Sequence, residues 1–144
     1  MDPPRPRQKA GRQAGQVLAE AALTLPLVLI LILGTMQVAL LTYGVIVARF
    51  AVFSGLRASA TVAGVNPEPA GIQTASRIIS SAPGLTLVWA SMKQVPLPLR
   101  GVALATRRLT LTVLVKVPRV IPSRRLMPLD TVSASGAMPM EPAR

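Results

Sequence analysis

Hydrophobic and polar positions alternate with different periods along this chain, and each period predicts a different element. From Ala21 to Ala48 there is no charged residue, and Leu, Ile, Val and Ala fill most positions. As a helix at about 1.5 Å per residue, that run would measure about 42 Å, longer than the ~30 Å hydrocarbon core of a bilayer. A secretory signal has an apolar core of only about 7–15 residues and is removed whole, so the segment reads as a retained membrane helix. Further on, Ile46, Phe50 and Phe53 follow i, i+4, i+7 spacing and make an apolar stripe, with Arg49 and Arg57 beside it. The helix is expected to leave the membrane and continue until Gly64 and Asn66-Pro67-Glu68-Pro69 break it. A short second helix is predicted from about Ala70 to Ala82, with Ile72, Ala75, Ile78, Ile79 and Ala82 on one face. Pro83-Gly84 ends it.

The last part of the chain shortens its period to two. Leu85, Leu87 and Trp89 alternate with Thr86, Val88 and Ala90, which predicts a strand. Leu109, Leu111, Val113, Val115 and Val117 alternate with Thr110, Thr112 and Lys116, and only Leu114 blurs the polar face. Val132, Ala134 and Gly136 form a weaker third pattern. Pro96, Pro98 and Gly101 bound the first connection, and Pro118, Pro122 and Pro128 the second. Three short strands leave one face in need of cover, and the half of the long helix outside the membrane can supply it. The expected fold class is α+β: a long N-terminal transmembrane helix packed on a small antiparallel sheet of about three strands. The expected organisation is a basic leader over 1–15, the long helix over 16–64, and a small extracytoplasmic α+β domain over 65–144.

Composition narrows the chemistry. The chain has no cysteine and no histidine, so it has neither a thiolate site nor the commonest general base and metal ligand. Its five carboxylates, Asp2, Glu20, Glu68, Asp130 and Glu141, are scattered too widely to suggest a catalytic pair or a carboxylate cage. No Walker loop and no G-x-G-x-x-G is present. Ser91 and Lys93 are the nearest Ser–Lys pair, but residues two apart on a strand share a face by chance. The expectation is a protein that is not an enzyme and holds no metal or cofactor. A net charge of +11 raises the question of nucleic acid, and Arg107-Arg108 and Arg124-Arg125 could each meet phosphate or another polyanion. No aromatic is interleaved among those arginines, so there is no base-stacking platform. DNA binding stays a secondary reading beside solvated basic loops.

The remaining chemistry lies at the start of the apolar run. A leader with Arg5, Arg7, Lys9 and Arg12 precedes Gly15-Gln16-Val17-Leu18-Ala19-Glu20, and Glu20 stands near the mouth of the membrane segment. A carboxylate at membrane level costs about 2.5–3.5 kcal/mol at a helix centre and usually has a partner. The four basic residues favour a cytoplasmic N-terminus, with the long C-terminal domain translocated. Within the run, Pro26 removes a backbone donor, which membrane helices tolerate. Gly34, Thr35 and Gly44 offer small faces for helix packing, although plain compositional drift accounts for them equally well.

A basic leader ending in Gly, followed by an apolar helix with Glu at its fifth residue, resembles the signal of type IV pilins and pseudopilins. The run Gly15-Gln16-Val17-Leu18-Ala19-Glu20-Ala21-Ala22-Leu23-Thr24-Leu25-Pro26 is similar to the TadE family of minor pseudopilins, which serves the tight-adherence (Flp) pilus. A looser likeness returns in Leu129–Ser135 and Met138-Pro139-Met140-Glu141. Two positions depart from the pattern: family members often have Phe after the Glu and an acidic residue after the apolar run, where this chain has Ala21 and Gln37. The resemblance implies cleavage between Gly15 and Gln16 by a prepilin peptidase. It also implies pairing of the new Gln16 amine with Glu20 of a neighbouring pilin subunit, and a structural role in pilus assembly at the inner membrane. The competing expectation is an unprocessed, signal-anchored binding protein with a basic domain.

Overall fold

A computed structural model describes the backbone of residues 7–62, 67–96, 107–120 and 130–140. Two helices, α1 (Arg7–Thr61) and α2 (Pro67–Ser81), precede three strands, β1 (Thr86–Pro96), β2 (Arg107–Lys116) and β3 (Thr131–Met140). The chain divides into two compact units, Met1–Met36 and Gln37–Arg144.

The first unit consists of the early part of α1. The helix starts inside the leader, upstream of Gln16, because Arg7-Gln8-Lys9-Ala10 are all good helix formers. It runs unbroken through Pro26. From Gly15 to Met36 every side chain is exposed except Gly34, which is half-buried. The hydroxyls in this stretch are satisfied internally. Thr24 Oγ1 donates to the Glu20 carbonyl at 2.5 Å, and Thr35 Oγ1 to the Ile32 carbonyl at 2.9 Å. Neither threonine therefore brings an unpaired donor into the apolar surface.

The second unit is the α+β body. Its sheet has the order β1-β2-β3, and both pairings are antiparallel. The period-two pattern of the central strand holds throughout, with Leu109, Leu111, Val113, Val115 and Val117 all buried. Each such side chain contributes about 1.5–3 kcal/mol when fully buried. They pack against Ala48, Ala51, Val52 and Leu56 of α1 and Ala75 and Ile79 of α2, so both helices cover the same face. β3 runs further than Gly136, to Met140, and includes Pro139. A proline is tolerated there because β3 is an edge strand.

β1 forms as the alternation predicts, with one irregularity. The register slips between Leu87 and Trp89, a β-bulge that inserts Val88 as an extra residue. Beyond the bulge the faces exchange. Trp89 is 53% exposed, while Ala90 packs against the core. Strict alternation would have placed Trp89 inside.

α1 and α2 approach closely where Gly55 meets Gly71. A Cβ at Gly55 would lie 2.8 Å from the Gly71 carbonyl oxygen and 2.7 Å from Leu111 Cδ2. The helix α2 ends at Pro83-Gly84 as predicted, with Gly84 at φ 76°, a left-handed conformation that glycine adopts without steric cost.

Candidate functional site

The residues singled out at the start of the apolar run lie on one helix. Gln16 and Glu20 are four apart on α1 and so share a face, one turn from each other. Both are exposed. The Glu20 carboxylate has no hydrogen-bond or ion-pair partner among the described residues, since only its backbone carbonyl is engaged, by Thr24. A Cβ at Gly15 would meet nothing within 4 Å. A glycine inside a helix costs roughly 0.5–1 kcal/mol relative to alanine. Nothing in the chain's own packing accounts for its use at this position.

The glycines further along separate into two kinds. Gly34 also has nothing within 4 Å, so its small face is open. Gly44, grouped with it on sequence grounds, faces this chain's own sheet: a Cβ there would lie 2.6 Å from Val117 Cγ2. Its small size is needed for the sheet to approach α1. The full covered row on the helix is Gln37, Gly44, Ala48, Ala51, Val52, Gly55, Leu56 and Ser59. The stripe of Ile46, Phe50 and Phe53 points the other way, with exposures of 61%, 60% and 58%. Phe50, Phe53, Ser54 and Arg57 line an open groove of about 360 Å³ on that side.

Gln37 was a departure from the family pattern in sequence, and its position in the fold was not legible there. It is only 2% exposed, and its Oε1 accepts a hydrogen bond from the Val120 N–H at 2.8 Å, while Nε2 has no partner among the described residues. It ties the segment after β2 to the helix. Nearby, Val117 N–H donates to the Asp130 carbonyl at 2.8 Å, and Arg119 pairs with the Asp130 carboxylate, closing the neck of the β2–β3 connection.

The candidate polyanion contacts are not gathered by the described structure. Arg107 and Arg108 begin β2, at the end of the strand remote from Val117, and Arg108 is exposed. Arg124 and Arg125 lie outside the described residues. Ser91 and Lys93 share a face of β1, opposite Thr112 and Thr110 of β2. Among the described residues no group of His, Cys, Asp or Glu is arranged to hold a metal ion.

One long apolar helix and a small sheet body define a class: an α+β protein in which, among the described residues, one helix, Gly15–Thr61, is long and apolar enough to cross a bilayer and fits a single-pass anchor. Residues 15–57 match the model of the TadE-like protein family, and over that segment the chain is TadE-like. The likeness is confined to part of α1 and does not extend to the sheet body. No curated protein and no solved structure matches the chain.

Proposed function

We propose that the chain is a minor pseudopilin of a Tad/Flp-type pilus. A prepilin peptidase cuts it between Gly15 and Gln16, and it assembles with other pilin subunits from the cytoplasmic membrane. The observation that carries this reading is Glu20: an exposed carboxylate, without a partner among the described residues, on an otherwise apolar stretch of helix. In a bilayer such a group needs a counter-charge. After cleavage, the α-amine of Gln16 on a neighbouring subunit supplies one. Gly15 supports the same reading, because a Cβ there would meet nothing among the described residues, and a missing side chain suits a protease cleft. The basic leader keeps the N-terminus cytoplasmic and the sheet body outside.

The test is the N-terminus of the protein isolated from native membranes. Mass spectrometry is expected to find Gln16 first. Met1 retained in cells with an active peptidase overturns processing and leaves the unprocessed-anchor reading in its place. Glu20→Ala then examines the charge pair: membrane abundance and processing stay normal, while crosslinking to neighbouring pilins falls. Equal crosslinking at equal abundance removes Glu20 from the mechanism.

A further inference from the structure

The outer face of the sheet, turned away from both helices, carries an arrangement the pilin reading does not use. Its rows follow from the pairing register. Trp89 stands opposite Leu114, which stands opposite Ser133, and the next outward row is Ser91, Thr112 and Ser135. The bulge at Val88 is what puts Trp89 on this face, with 53% of its surface exposed. The small hydroxyl side chains beside it make a low, polar floor.

Three cations share the face. Lys93 lies four residues beyond Trp89 on β1, about 13 Å along the strand. Arg108, level with Val95, stands further toward the same end, and Lys116, level with Thr86, lies toward the opposite end. All three are exposed, and none is paired among the described residues. Lys116, Trp89, Lys93 and Arg108 therefore follow one another along the length of the sheet. No carboxylate joins them among the described residues, and Asp130, beside β3, is already paired with Arg119.

An exposed indole offers its π-face to a planar ring, and cations on either side of it attract phosphates. Sheet surfaces hold single-stranded nucleic acid through that combination. The sequence has no aromatic among its arginine pairs, but the fold brings one to the cations from another strand. A duplex keeps its base faces stacked on one another and can meet only the charges. An acidic polysaccharide meets the charges too, but has no planar ring for the indole.

We propose that the outer sheet face binds single-stranded nucleic acid, with a base stacked on Trp89 and backbone phosphates on Lys93, Arg108 and Lys116. The site lies wholly within the sheet body, so it requires neither processing at Gly15 nor any particular seating of the bare helix.

Trp89 is the chain's single tryptophan, so its emission reports on the site directly. The test titrates the full chain, in non-ionic detergent, with oligothymidylate. It reads tryptophan emission together with the anisotropy of a dye on the oligonucleotide. Saturation is expected to quench the emission. Trp89→Ala is expected to weaken binding about tenfold, and Trp89→Phe, which keeps a ring, to weaken it less. Lys93→Gln and Lys116→Gln are each expected to lower the slope of log affinity against log salt by about 0.7. Binding that leaves the emission unchanged, or that Trp89→Ala does not alter, overturns the stacking site and leaves only the attraction of a basic chain for any polyanion. Duplex DNA bound as tightly as the single strand overturns it as well. Heparin, which carries charge but no bases, is expected to leave the emission unchanged. Equal quenching by heparin assigns the face to an acidic polysaccharide and overturns the nucleic-acid reading. The wild-type emission and the lysine variants do not depend on Trp89→Ala, so they decide the matter even if that variant fails to fold.

Discussion

The two halves of α1 are equally helical and nearly equally apolar, yet they are built for different surroundings. From Gly15 to Met36 the large side chains Leu, Ile and Val point in all directions and none is buried. From Gln37 to Thr61 the residues divide by size. Gly44, Ala48, Ala51, Gly55 and Ser59 form a narrow row under the sheet, while Ile46, Phe50 and Phe53 stay outside. A helix facing lipid needs only apolar bulk. A helix lying against a sheet needs a shape, and small residues at three- and four-residue intervals provide it.

The sharpest way to break this comparison is to make the same truncation in both halves of the molecule's apolar surface. Leu111→Ala, in the centre of the core at 0% exposure, is expected to cost about 2–5 kcal/mol in a circular-dichroism melt of the full chain in detergent. Leu29→Ala, half exposed in the bare segment, is expected to leave that melt unchanged. Comparable losses would show that the bare half packs on something within the monomer. Next come the glycines. Gly55→Ala drives a methyl against the Gly71 carbonyl and Leu111, and about 1–3 kcal/mol of stability is expected to be lost. Gly34→Ala, with open space around it, should lose nothing in the same melt and gain up to about 0.5–1 kcal/mol of helix stability. Gln37→Leu marks the border between the halves. It orphans the Val120 N–H, and the expected loss is about 1 kcal/mol. Smallest of all, Phe50→Ser is expected to shift stability by no more than about 0.5 kcal/mol, because its ring is mostly outside. A large loss there would mean that the exposed stripe is covered within the folded monomer.

Much of this was legible in the residues. The alternation from Leu109 to Val117 identified the central strand and its buried face, and Pro83-Gly84 marked the stop of α2. The contact face of α1 was not legible, because periodicity was judged on large hydrophobics and the true face is made of glycine, alanine and serine. Hydropathy ranks such residues low, yet close packing selects them. The exposed side of Trp89 was not legible for a different reason: a bulge adds one residue without altering composition, and everything after it changes sides. Gly15 and Glu20 stood out in sequence by chemistry alone. Their geometry adds that neither meets a partner side chain among the described residues.

The neck at Val117 and Asp130 has a consequence for how this protein can vary. A backbone hydrogen bond and an ion pair hold the two ends of the β2–β3 connection together. Strand pairing is therefore reinforced at this end by a clasp made of Val117, Arg119 and Asp130, beyond the ladder itself. For a flexible segment with fixed ends, doubling the length costs only about 0.6 kcal/mol. With both ends clasped, an epitope tag inserted between Val120 and Asp130 is expected to leave the sheet's melt unchanged, a use for the clasp that has nothing to do with the strands themselves.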